Sequence, residues 1–358
     1  FFFFFFFFFF FFFFFFFLPV YTIFFNFNFR IQYWATLSLT RSENVTRTGV
    51  GWHLMLEWPN EEFARNLRMD RDGFNALMDI LWTHEERTQD RDVSTERKTL
   101  MFLWYMANQN SFREIADKFN VTKSKAHGCI VELLERVCNL SSRFIQWPSP
   151  QEQEQSAQFF QRRAQCPHAI GAIDGCHIRI QRPHHVSASS YLNRKGYYSI
   201  LLQGICDSAG KLMDVFIGIP GCVHDARMLR LSDFYGRWEN QLQGHTLLGD
   251  SAYISRDFQN FIQTPLRDNG QLTDVERLRN AALSSGRVII ENAFGRLKCQ
   301  FRRLRDIQNA RLDICVKIIL SACTLYNFCI LQHAEAPCED HPNGICPRIN
   351  DDNDDAVL

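Results

Sequence analysis

The 358-residue chain has no excess of either charge: Lys plus Arg and Asp plus Glu both number 39. That balance excludes a uniformly basic coat protein and an acidic, solvating chain. None of the twelve cysteines forms a C-x-x-C pair, so zinc-finger spacing is absent. Several cysteines lie inside apolar stretches, which reads as free buried thiols in a reducing compartment, cytosol or nucleus rather than secretion. No Lys or Arg precedes Arg30, and no A-x-A-like site follows the first apolar segment. A secretory signal is therefore not formed. No strong basic localisation run appears either.

The sequence does hold an abundance of Phe in one place. Of 36 Phe, 17 fill positions 1–17 without a break, and Phe24, Phe25, Phe27 and Phe29 follow. Residues 1–23 reach the length of a spanning helix, about 20 apolar residues. Yet a homopolymer of one bulky aromatic is not what selection for a helix yields. A T-rich tract read in frame gives Phe at every codon, so residues 1–34 are set aside as a low-complexity segment of artefactual origin. A second apolar stretch, residues 314–331, contains Lys317, Ser321, Thr324 and Asn327. It reads as a helix buried in a protein core rather than a bilayer span.

Residues 52–140 read as helical. Phe63, Leu67, Met69, Phe74, Leu77, Met78 and Leu81 recur at three and four. Ser111 and Glu114 form a capping box before Phe112, Ile115, Ala116 and Phe119. The helix should stop near Asn120, which tolerates the left-handed conformation. Thr122 or Ser124 then caps a second helix carrying Ala126, Ile130, Leu133 and Leu134. The spacing of Ala116, Asn120, Val121 and Ala126 fits a helix-turn-helix, with Lys123, Ser124, Lys125 and His127 at the exposed start of a DNA-reading helix. A plain helical hairpin obeys the same packing rules.

The segment QWPSPQEQEQSAQ, with Pro148 and Pro150, reads as a linker or surface crossing. From Cys166 the texture turns to α/β. Residues 169–180, 197–207 and 211–220 read as strands, the last two joined by Ser208-Ala209-Gly210 as an antiparallel hairpin. Residues 224–239 have a helical period, 245–254 form a short strand ending at Asp250, and 275–304 form a helix with a break near Ser284 to Gly286. The tail from residue 335 to 358 has seven acids and one base and should be disordered. Without it the chain carries six more bases than acids, so the neutral total conceals a basic folded part.

Three acids stand out. Asp174 interrupts one apolar strand, Asp250 ends another, and Glu291 sits among Ile289, Ile290, Ala293 and Phe294 on a helix. A carboxylate in such surroundings is costly unless it is paired, hydrogen-bonded or bound to a cation. Converging at one sheet edge, with Glu291 pointing inward, they would make a site for two hard divalent cations, the arrangement used in phosphodiester cleavage. Each also has a structural reading: Asp174 in a turn, Asp250 as a helix cap, Glu291 paired with Arg287. The helix around Glu291 adds Arg287, Arg296, Lys298, Arg302, Arg303 and Arg305, a basic rim suited to a polyanion.

Taken together, IGAIDGCHIRI, PGCVHDARMLRLS, LLGDSAYI, FIQTPLRDNGQLT and SSGRVIIENAFGRLKCQFRRL resemble the Harbinger-type DDE transposases and their domesticated nuclease descendants. The resemblance runs from Glu57 to Leu331 and is strongest between Ile170 and Leu304. It implies an α/β fold: an RNase H-like DDE nuclease core at 165–334, preceded by an all-α helix-turn-helix region at 52–140. Carried over residue by residue, the catalytic and metal-binding triad falls on Asp174, Asp250 and Glu291. Asp225, beside His224, matches a further recurrent acid, either a helix cap or a neighbour of the metal site. The implied cofactor is Mg²⁺ or Mn²⁺, two ions per site. Arg287, Arg296, Lys298, Arg302 and Arg303 join Lys123, Ser124, Lys125 and His127 as expected DNA contacts. The implied partners are DNA and a Myb/SANT-like DNA-binding protein; a homo-oligomer is allowed, and no membrane is expected. The expected location is the nucleus, with the cytoplasm also open. The rival readings are a domesticated DNA-binding or scaffold protein without transposition, and a transcription factor using residues 111–137.

Overall fold

The computed structural model describes residues 51–88, 92–184 and 186–335. The poly-Phe segment and the acidic tail beyond Glu335, and the expectations made for them, lie outside the described residues. The first helices follow the apolar periodicity: α1, Asn60–Leu67, buries Phe63 and Leu67, and α2, Arg71–Leu81, buries Phe74, Leu77, Met78 and Leu81. Asp70 caps α2 by accepting from Gly73 N at 2.8 Å, a contact worth about 1 kcal/mol. Helix α3, Thr95–Ala107, carries four consecutive fully buried residues, Leu100 to Leu103, so it is enclosed on all sides.

Helix α4, Phe112–Lys118, starts with the Ser111/Glu114 capping box. Its chain reverses at Asn120, whose φ of 50° lies in the left-handed region. Asn tolerates that conformation because its short side chain can hydrogen-bond locally. Thr122 then caps α5, Lys123–Asn139, by accepting from Lys125 N at 3.2 Å. Ala116, Val121 and Ala126 are buried at the corner.

The segment read as a linker is instead mostly helix α6, Pro150–Ala164. Pro150 sits in the first turn, where its missing N–H costs nothing, and Ser149 with Glu152 forms a complete capping box. Ser156, Ala157, Phe160 and Ala164 make a buried stripe that packs on the sheet and on a later helix. Low hydrophobicity concealed this stripe, because Ser156, Ala157 and Ala164 are small and only Phe160 is strongly apolar.

Five strands form one mixed sheet in the order β3-β2-β1-β4-β5. Strands β1 (Ala169–Arg179), β2 (Ser199–Cys206) and β3 (Leu212–Pro220) are antiparallel neighbours. Strands β4 (Thr246–Leu248) and β5 (Ile262–Gln263) extend the sheet in parallel from β1. The hairpin at 208–210 is as expected. The stretch read as strand 245–254 pairs only over β4, and β5, two residues long, gives no period to read. The helical period of 224–239 holds only for α7, Asp225–Leu231, before the chain breaks into shorter turns.

Helix α8 runs unbroken from Asp274 to Gln300, without the expected interruption at 284–286. Gly286 there serves close approach: a Cβ would lie 2.6 Å from Ala164 Cβ on α6 and 2.7 Å from Leu248 Cδ1 on β4. Helix α9, Leu312–Glu335, is long and apolar enough to cross a membrane by composition, but 72% of its apolar window is buried inside the protein. It packs between α5 and β3. Its buried Asn327 accepts from Leu212 N at 2.9 Å and donates to the carbonyls of Leu212 and Phe144 at 2.6 and 3.0 Å.

Candidate active site

Strands β1 and β4 are adjacent and parallel, with Ala172 paired to Leu248. Asp174 and Asp250 each lie two residues further on, in the same phase of the pleat. Both acids thus arrive at the same end of neighbouring strands. Asp174 remains within β1, opposite Gly204 of β2, and its Oδ1 accepts from Gly175 N at 2.8 Å. It is therefore not a turn residue. Asp250 has left the strand and caps the 3-10 turn Ser251–Tyr253, accepting from Ala252 N at 2.9 Å.

Asp225, first residue of α7, completes the group. A Cβ on Gly175 would overlap its Oδ1, so the carboxylate lies directly over the β1 backbone. Burial pushes the Asp174 carboxyl up to about 7; Arg287 and the Gly175 N–H pull it down, while the charges of Asp250 and Asp225 push it further up. Asp225 is also raised, first by burial and then by Asp250. Three carboxylates are therefore within electrostatic reach of one another.

Glu291 departs from expectation. Its side chain is 47% exposed, because Ile290, Ala293, Phe294 and Leu297 take the inward stripe of α8 and leave it turned aside by one residue's rotation. It joins the cluster through Arg287, which reaches Glu291 Oε1 at 2.7 Å and Asp174 Oδ2 at 3.3 Å. Arg287, expected to contact DNA, is instead the counter-ion of two of the acids.

The basic rim divides. Arg296 and Arg302 are exposed and Lys298 is half-buried. Arg303 is only 4% exposed; it donates to Tyr105 O at 3.1 Å and Asn110 O at 2.7 Å and stacks over the Tyr105 ring. It is therefore not part of the exposed basic rim. Lys123, Ser124, Lys125 and His127 are all exposed at the start of α5, with Lys125 paired to Asp92 at 3.2 Å. Helix α5 and the acids lie on different elements, and no ion pair among the described residues links them.

Two residues escaped the sequence reading. Tyr253 is fully buried with a hydroxyl that has no hydrogen-bond partner, and Asp225, Asp174 and Asp250 all act on it electrostatically. Gln203 of β2, paired with Gly175 of β1, is buried with both side-chain amide atoms unpartnered. The only signal for Tyr253 was its place three residues after Asp250. Among the described residues no three His, Cys, Asp or Glu side chains stand at metal-ligand spacing. The donor chemistry nevertheless suits a hard divalent cation: the oxygens are carboxylates, and the orphaned Tyr253 hydroxyl marks polar capacity left unspent beside them.

Residues 173–327 match the family described as DDE superfamily endonuclease, a span that includes Asp174, Asp225, Asp250 and Glu291. Residues 47–139 match a domain of unknown function, DUF8040. HARBI1 of Rattus norvegicus, by its name an inferred nuclease, is 29% identical over 72% of this chain and 75% of its own length. HARBI1 of Homo sapiens is 28% identical over 72% of this chain and 74% of its own. The Arabidopsis thaliana protein named Antagonist of Like Heterochromatin Protein 1 is 24% identical, covering 68% of this chain and 64% of that one. No solved structure matches the chain. The five-stranded mixed sheet fits an RNase H-like domain.

Proposed function

We infer that this chain, a Harbinger-type relative of the DDE superfamily endonucleases, is a divalent-metal-dependent nuclease that cuts DNA phosphodiester bonds. The observation that carries the reading is the β1/β4 register, which brings Asp174 and Asp250 to one sheet edge beside Asp225. Asp174, Asp250 and Glu291 would hold the cations, with Asp225 as their neighbour. A bound pair of Mg²⁺ or Mn²⁺ ions supplies the positive charge that the attacking and leaving oxygens of the phosphodiester require.

The protein's own groups prepare that site. Arg287 offsets the mutual repulsion of the acids while no substrate is present. The Gly175 and Ala252 N–H groups fix one oxygen each of Asp174 and Asp250. Tyr253 offers a hydroxyl that can hydrogen-bond a water among the acids. Arg296, Lys298 and Arg302 would contact phosphates and position the strand. Lys123, Ser124, Lys125 and His127 would read the duplex from α5 as the second helix of a helix-turn-helix. Work in the nucleus with a Myb/SANT-like partner belongs to the same reading, as does strand transfer by the freed 3′-OH.

One observation favours a second reading. Arg287 pairs with two acids of the triad, Asp174 and Glu291, and so partly offsets their charge with no cation bound. A DNA-binding or scaffold protein without cleavage would need no more. Incubation of the purified protein with supercoiled plasmid and Mg²⁺ or Mn²⁺ separates the two. Nicking that stops with chelator and with Asp174→Ala supports the nuclease; nicking that Asp174→Ala leaves unchanged removes this site from the reading.

A further inference from the structure

A cavity of about 350 Å³ lies away from the acids, between the α4–α5 corner and the segment after α8. Three cations from three elements line it: Arg113 on α4, Lys123 at the first position of α5, and Arg303 in the turn Arg302–Leu304. No acid lines it. Glu114, in the first turn of α4, is turned back onto the Ser111 N–H at 2.6 Å. Arg113 and Lys123 are exposed and form no ion pair among the described residues. Arg303 is held in place by carbonyl groups, which orient its guanidinium without cancelling its charge.

The remaining wall is aromatic and amide. Phe112 is half-buried, stacked on Tyr105 at 5.4 Å and tilted against His127 at 5.1 Å. Gln308 adds an exposed amide. The volume falls at the lower end of the range of small-ligand sites, roughly 300–1,000 Å³. A duplex presents a convex backbone and could place only a phosphate at the mouth. An unpaired nucleotide can enter, bringing a phosphate to the cations and a base to the aromatic wall, the combination on which single-strand recognition rests.

We propose that this cavity binds one unpaired nucleotide of a DNA strand, with its phosphate held by Arg113, Lys123 and Arg303 and its base against Phe112 and Gln308. The inference rests on DNA being the ligand of the proposed function and is independent of cleavage at the acids. The site would hold a frayed or displaced strand at a fixed distance from the sheet edge.

The test is fluorescence anisotropy of the full chain with a labelled single strand and the matching duplex, in chelator so that no cutting occurs. The variants are Arg113→Glu combined with Lys123→Glu, and Phe112→Leu. The charge-reversal pair should weaken single-strand binding by at least about tenfold and flatten its salt dependence by roughly 0.7 per cation lost. Phe112→Leu should weaken it while leaving the duplex nearly unaffected. A deoxynucleoside monophosphate should compete better than inorganic phosphate. Unchanged single-strand affinity in the charge-reversal pair overturns the proposal, as does a loss for duplex equal to that for single strand in Phe112→Leu. Duplex binding of the pair does not discriminate, because Lys123 also faces the duplex in the proposed function. Equal competition by inorganic phosphate reduces the cavity to an anion site and overturns it too. If Phe112→Leu does not fold, the pair at two exposed positions decides alone. Failure here with intact metal-dependent nicking refutes the cavity only, and the converse refutes the nuclease only.

Discussion

The carboxylate of Asp225 occupies the space that a side chain at Gly175 would need. Gly175 follows Asp174 in β1, so its lack of a Cβ is what lets an acid from α7 lie against the strand that bears the central acid of the cluster. The expected outcome of Gly175→Ala is therefore displacement of Asp225. Overpacking of this kind costs about 1–3 kcal/mol, readable in urea unfolding, and the nicking of plasmid DNA should fall with it. Wild-type stability and nicking together in this variant would contradict the placement of Asp225.

Arg287 is the counter-charge of Asp174 and Glu291, and Asp174 is mostly buried. Arg287→Gln should lower the stability of the metal-free protein by about 1–3 kcal/mol, the cost of leaving a part-buried charge unpartnered. The same variant should gain more thermal stability from added Mn²⁺ than wild type does, because the acids are released to the cation. Thermal melts with and without Mn²⁺ check both; an identical Mn²⁺ response in the two proteins speaks against these acids as the cation's ligands.

Gly286 is the point where α8 meets α6 and β4. Gly286→Val places branched carbon into contacts already at 2.6 and 2.7 Å for a bare Cβ. A helix-propensity gain over Gly, at most about 1 kcal/mol, cannot offset the lost packing. Equilibrium unfolding should show net destabilisation, and a more stable protein would show that α8 does not press on the sheet here.

Asp214 on β3 has a part-buried side chain, and burial raises its pKa from 3.8 to about 6, with Arg237 opposing and Asp233 adding. The folded state therefore binds this proton more tightly than the unfolded chain. Its effect is to lower stability as pH rises from about 4 to about 6. Asp214→Asn should stabilise the protein at pH 7 and change little below pH 4. Urea titrations at the two pH values test the sign, and an equal effect at both would exclude linkage through this group.

What the sequence determined by itself is what neighbours along the chain decide. The Ser111/Glu114 box, the turn at Asn120 and the 208–210 hairpin depend on contacts within a few residues, and each stands where the local pattern puts it. Asp174 was legible because a lone acid breaks an apolar strand. Helix α6 was missed although its box at Ser149 and Glu152 is equally local, since two prolines and many glutamines outweighed a sparse buried stripe.

Tertiary structure decided the rest. The β1/β4 register joins residues far apart in sequence and alone sets Asp174 beside Asp250. The outward turn of Glu291 follows from which face of α8 the sheet claims, and the roles of Arg287 and Arg303 follow from what stands opposite them. Composition assigns an arginine a charge; only long-range packing decides whether that charge meets an acid, a carbonyl or solvent, because the cost of burying it depends on partners that the chain brings together by folding.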